Sequence, residues 1–143
     1  ETGLVLPNIK AVEVIEGDPC CISSYKPYEN SLYISSKYFN SKNAIEDTLK
    51  DWSSKKIMPK QAKSIQFIAE HEAAHIRIPY EVMASSDANK LHKSFAKSQH
   101  YVDNDMTISE YFADCVAEYR LQGQKSNAHV IKVIDYLSKE GVL

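Results

Sequence analysis

The middle of the chain reads SIQFIAEHEAAHIRIP over residues 64–79, and this stretch predicts the helix around which the site is arranged. Its apolar residues recur every three or four positions, as on one face of an α-helix. Pro59 suits the first turn of such a helix, and Pro79 cannot continue it. The predicted helix therefore runs over residues 59–78.

Within that helix, His71-Glu72-Ala73-Ala74-His75 matches the pattern H-E-x-x-H. His71 and His75 lie one turn apart on the same face, so both imidazoles can bind one Zn²⁺ ion. Glu72 is rotated by about 100° from His71, which brings its carboxylate beside the metal. There it can take a proton from a bound water and pass it to a leaving amine. The alternative is an amphipathic helix that carries two histidines by chance.

A catalytic zinc site also needs a third protein ligand and an open fourth position. The histidine-type extension of the motif fails, because Ile78 and Glu81 occupy the positions of its glycine and third histidine. Glu110, on a later predicted helix, is the candidate third ligand. Asp114, one turn further on, can accept the ring N–H of a ligating histidine. The alternative for Glu110 is a capping box with Thr107 at the start of that helix.

The composition argues against several other functions. The 17 basic and 19 acidic residues nearly cancel, so there is no electrostatic case for binding nucleic acid. Apolar runs are only a few residues long, far short of the roughly 20 that a membrane helix needs. With 4 glycines in the whole chain, a Gly-rich phosphate loop is excluded. The predicted partner is a peptide or protein substrate, without nucleic acid and without a membrane span.

The chain of 143 residues is long enough for one domain. Residues 1–3 are typical of an expression remnant, so the predicted domain covers residues 4–143. No secretory leader is visible, and the natural compartment, secretion included, stays open. The odd number of cysteines argues against a disulfide framework and favours buried or half-buried thiols, although a bridge from one of the adjacent pair to the third is an alternative. These cysteines are Cys20, Cys21 and Cys115.

The first third of the chain reads as strands and the rest as helices. β-Branched and alternating residues predict strands over residues 9–15 and 31–35, with a third near residues 21–25. Capping residues and apolar stripes predict further helices. These helices cover residues 41–54, 85–99, 107–123 and 127–140.

The two motifs together resemble the gluzincin metallopeptidases, of which thermolysin is the familiar member. The string Glu110-Tyr111-Phe112-Ala113-Asp114 is similar to the E-F/Y-F-A-E/D pattern of lethal-factor-type peptidases, which include small secreted Pro-Pro endopeptidases. Similar strings occur in phage head-associated proteins. The resemblance covers residues 31–120, and only the two short motifs are specific. It implies a zincin-like α+β fold, with a small N-terminal mixed sheet over the active-site helix and a helical C-terminal half.

The resemblance also implies parts of the substrate cleft. The strand over residues 31–36 would be the edge of the sheet, where extended substrate pairs by backbone hydrogen bonds. Relatives often place a tyrosine a few residues before the glutamate ligand, where its hydroxyl steadies the oxyanion. Tyr101 is the candidate for this catalytic role, His100 is its substitute, and simple packing of Tyr101 is the alternative.

The sequence thus predicts a zinc-dependent endopeptidase in which Glu72 is the general base and then the general acid. Two alternatives belong to other classes. One is a non-catalytic domain that uses a zincin scaffold for binding or as a phage structural component, and the other is a zinc-protease toxin effector. The predicted metal ligands are His71, His75 and Glu110, with Asp114 in support.

Overall fold

A computed structural model of the chain describes residues 11–15, 23–26, 31–35, 41–55, 58–96 and 107–143. A short 3-10 turn at Gly123–Lys125 joins the last two helices. None of the helices in these ranges has the length and apolar character that crossing a membrane requires. The helices are α1 Lys42–Ser54, α2 Ile65–Arg77, α3 Tyr80–Met83, α4 Ser86–Ala96, α5 Ile108–Gln122 and α6 Ala128–Lys139.

Three short strands precede the helices, namely β1 Ala11–Ile15, β2 Ser23–Lys26 and β3 Ser31–Ser35. β3 lies between the other two, parallel to β1 and antiparallel to β2. The expectation that the strand over residues 31–36 forms a sheet edge is therefore wrong. Both hydrogen-bonding sides of β3 are already used, so extended substrate cannot add to it as a further strand.

The expected α+β fold, with a small mixed sheet over the active-site helix, is also wrong as the fold class. The part of the chain that carries the described core contains no strand and is 76% helical. Both buried apolar clusters are formed almost entirely by helical residues. The physical reason is that the helices bury their apolar faces against one another, so the layer that organises this core is helix on helix rather than sheet on helix.

Helix α5 is the central element of this helical core. Every residue from 111 to 118 is buried, because α5 packs against α2 on one side and α6 on another. One apolar cluster joins α2, α4, α5 and α6, and the second joins α1, α2 and α5. The two helices that carry the sequence motifs, α2 and α5, are therefore packed directly against each other.

The ends of the helices follow from their caps. α2 begins at Ile65 rather than near Pro59, because the extended residue Ser64 accepts a hydrogen bond from Phe67 N through its hydroxyl at 3.3 Å. The predicted end is confirmed, since α2 stops before Pro79. The predictions for α1, α5 and α6 are confirmed as well. Their caps are Ser41, Thr107 and Asn127.

Of the three cysteines, Cys115 lies in the described part of the chain. It is buried on α5 and carries a free thiol, so the alternative of a disulfide to Cys115 is not seen. Burial, together with the nearby Asp114 charge, raises the pKa of the Cys115 thiol, which keeps it protonated and unreactive. Cys20 and Cys21 lie outside the described residues.

Replacing the cap of the motif helix tests its role in stability. Ser64→Ala should lower the free energy of unfolding by about 1 kcal/mol, because the Phe67 N–H loses its partner. Urea denaturation measures this difference. The matched control is Ser54→Ala, since the Ser54 hydroxyl is exposed and donates only to the Asp51 carbonyl of its own helix. Equal losses for the two variants would contradict a capping role for Ser64.

Candidate metal centre

The two histidines of the motif and Glu110 bring three ligand atoms to one point. His71 Nε2 and His75 Nε2 are 3.0 Å apart. Of the two Glu110 carboxylate oxygens, Oε2 lies 3.2 Å from His71 Nε2 and Oε1 lies 3.2 Å from His75 Nε2. Ligand atoms around a tetrahedral Zn²⁺ ion, each about 2.0–2.1 Å from the metal, lie about 3.3 Å from one another. The three side chains therefore have nearly the spacing that a single zinc ion needs.

Local helix geometry explains how these atoms converge. His71 and His75 are one turn apart on α2 and share a face of the helix. Glu110 lies in the first turn of α5, where its backbone N–H donates to the Thr107 hydroxyl at 3.3 Å. Half of the capping box that was the alternative for Glu110 is thus present, but the Glu110 carboxylate lies at the histidines. The cap therefore uses the Glu110 backbone, and the side chain remains available to contact the two histidines.

Each histidine is also held at its second ring nitrogen by a side chain of α5. His71 Nδ1 is 2.8 Å from Asp114 Oδ1, in the place where the sequence predicts a supporting acceptor. His75 Nδ1 is 3.0 Å from the Ser109 hydroxyl. The sequence does not single out Ser109, because a serine next to the candidate ligand has no diagnostic spacing. Its only signal is its place immediately before Glu110.

The electrostatics of the cluster favour a bound cation. Burial by itself lowers the pKa of His71, but hydrogen bonds to Asp114 and Glu110 outweigh this effect and raise the pKa to about 10. The same contacts with His71 and His75 hold the pKa of Glu110 well below its usual range. Two carboxylates thus stabilise positive charge on the ring between them. A metal ion that binds here must displace the proton on His71.

Glu72 lies beside the ligand cluster without being part of it. It follows His71 on α2 and its side chain is buried. Its negative charge is one of the influences that raise the pKa of His71, so the carboxylate acts on the cluster at short range. It does not belong to the His71, His75 and Glu110 group whose ligand atoms converge. This placement suits a proton acceptor next to a metal better than a fourth ligand.

The three side chains of the cluster differ in their exposure to solvent within the described part of the chain. The side chains of His71 and His75 are 11% and 14% exposed, whereas that of Glu110 is 51% exposed. Among the described residues, the Glu110 carboxylate is thus the ligand of this cluster that faces solvent, while the two histidines are largely covered. A catalytic zinc site keeps a fourth coordination position open, and the described residues supply three candidate ligands here.

The candidate for oxyanion stabilisation, Tyr101, and its substitute His100 lie outside the described residues. Their roles stay predictions. Comparisons with protein-family models, with curated proteins and with solved structures found no match. The chemistry of this centre therefore rests on the geometry of its own side chains.

Proposed function

We propose that the chain is a zinc-dependent endopeptidase whose metal is held by His71, His75 and Glu110. The observation that carries this proposal is the convergence of two imidazole nitrogens, 3.0 Å apart, with the Glu110 carboxylate, whose two oxygens each lie 3.2 Å from one of them. Two histidines and a glutamate, with a fourth position left open, form a known type of catalytic zinc site. Structural zinc sites instead use four protein ligands, and the described residues group three here.

The donor set favours zinc over harder cations. Imidazole nitrogen suits zinc and its neighbours among the transition metals, whereas magnesium and calcium prefer oxygen ligands. Asp114 and Ser109 contact the Nδ1 atoms of the two histidines, so the Nε2 atoms remain available as imidazole ligands for one metal ion. Zinc, when bound, would supply a Lewis acid that polarises a carbonyl and increases the acidity of a bound water.

The chain's own residues would divide the remaining work. Glu72 takes a proton from the attacking water onto its carboxylate and returns it to the leaving nitrogen. Asp114 accepts the Nδ1–H of His71, which fixes the ring and its tautomer. Glu110 would be the third metal ligand, and the exposed half of its side chain would lie next to a bound peptide. The adjacency of Glu72 to a ligating histidine is the feature that favours peptide hydrolysis over simple metal storage.

Metal content and cleavage together test this function. Protein purified without chelator should contain one zinc ion per chain by elemental analysis and should cleave members of an unbiased peptide library. Removal of the metal with 1,10-phenanthroline should stop cleavage, and added Zn²⁺ should restore it. Absence of stoichiometric zinc would overturn the metal centre. One bound zinc ion without cleavage of any library member would overturn the proposed peptidase activity but would support the metal centre.

A further inference from the structure

We propose that Ser109 is a positioning residue that holds the His75 ring ready for the metal, an inference that rests on the proposed metal centre. The Ser109 hydroxyl lies 3.0 Å from His75 Nδ1. The other nitrogen of the same ring, Nε2, lies 3.0 Å from His71 Nε2 and 3.2 Å from a Glu110 oxygen. The two ends of one imidazole are thus occupied by the hydroxyl and by the ligand cluster.

The chemistry of a neutral imidazole makes the hydroxyl important. Such a ring carries a single proton, and a metal at Nε2 requires that proton to sit on Nδ1. The Nδ1–H then needs an acceptor, because the His75 side chain is only 14% exposed and has little access to water. The Ser109 oxygen is within hydrogen-bond distance of this atom. By accepting the Nδ1–H, the hydroxyl would stabilise the tautomer that leaves Nε2 free to ligate.

Helix α5 supplies such a partner for each histidine. Asp114 serves His71 from the second turn, and Ser109 serves His75 from the first. Ser109 directly precedes Glu110, so one turn of helix carries both a ligand and an orienting group. Thr107 caps that turn through the Glu110 N–H. The geometry of His75 is thereby coupled to the same backbone segment that sets the third ligand.

The two orienting contacts should differ in strength. Asp114 offers a buried carboxylate, which makes a charge-assisted hydrogen bond, whereas Ser109 offers a neutral hydroxyl. Loss of an outer partner of a metal-bound histidine typically weakens metal binding by about 10–100-fold. We therefore expect Ser109→Ala to fall near the lower end of that range, at about 10-fold. Asp114→Asn should weaken zinc binding more.

Zinc affinity, measured by competition with a chromophoric chelator, tests the proposal. Ser109→Ala should bind Zn²⁺ about 10-fold more weakly than the natural sequence, and Ser109→Thr, which keeps the hydroxyl, should restore most of the loss. Ser94→Ala is the matched control, because the exposed Ser94 hydroxyl donates only to the Leu91 carbonyl within α4. Thermal unfolding of the zinc-free variants, measured alongside, separates an effect on positioning from an effect on folding.

A spectroscopic readout distinguishes positioning from a general weakening of the helix. In the zinc-loaded protein, the His75 Nδ1–H proton should give a downfield NMR signal that broadens in Ser109→Ala and persists in Ser94→Ala. Unchanged affinity and an unchanged signal in Ser109→Ala, with one zinc still bound, would overturn the role of Ser109 while the centre stands. Equal losses in the alanine and threonine variants would also overturn it. Failure of the natural sequence to bind zinc would overturn the centre and this inference together.

Discussion

Glu72→Gln should lower the rate of peptide cleavage by about 10²–10⁴-fold, the range that a positioned general base contributes, while one zinc ion stays bound. Glutamine keeps the size of the side chain but cannot accept the proton of the attacking water. The metal should remain because Glu72 is outside the group of convergent ligand atoms. Single-turnover cleavage of a library-derived peptide, with zinc analysis of the same samples, measures both effects.

The neighbouring residue Glu70 provides a matched control for this experiment. Glu70 is on the same helix and is buried to a similar degree, at 3% exposed against 6% for Glu72. It lies on the opposite side of His71 around the helix, since the two glutamates flank that histidine in sequence. Glu70→Gln should therefore cleave at nearly the natural rate. Cleavage by Glu72→Gln at the rate of Glu70→Gln would show that another group is the base.

Much of the arrangement of the candidate ligands could be predicted from the sequence, because helix geometry alone sets most of their relations. Once a helix forms, His71 and His75 must lie one turn apart, and so must Glu110 and Asp114. Tertiary packing has little freedom to change those spacings. Helix geometry does not show that the two pairs face each other; that expectation rests on the need of a catalytic zinc site for a third ligand and an orienting acceptor. The packing of α2 against α5 brings the pairs together.

The start of α2, the fold class and the role of Ser109 could not be predicted from local sequence patterns. Pro59 and Ser64 can both begin a helix, and the hydroxyl of Ser64 decides the outcome by accepting from Phe67 N. The predicted fold class, a sheet over the motif helix, is wrong because apolar periodicity shows which face of a helix is buried but not what covers it. Ser109 acts through a contact between residues 34 positions apart, which no local pattern encodes.

Removing a ligand should weaken zinc binding far more than removing an orienting group. His75→Ala deletes one of the three convergent atoms, so we expect a loss greater than the roughly 100-fold upper range for outer partners. The natural protein should gain about 2.7 kcal/mol of stability when free zinc is 100 times the dissociation constant. At that zinc concentration His75→Ala should gain much less. Thermal unfolding with and without zinc measures the difference.

His129→Ala on α6 is the matched control for this loss, since His129 is outside the convergent group. It should keep the full stabilisation by zinc, because the substitution leaves all three ligand atoms intact. His75→Ala should also retain its fold without metal, because buried His71 still pairs with Asp114 at 2.8 Å. If zinc stabilised His75→Ala as much as it stabilises the natural protein, zinc would bind elsewhere. A gain lost only in His75→Ala would tie the metal to the face where α2 meets α5, the position that peptide hydrolysis by Glu72 requires.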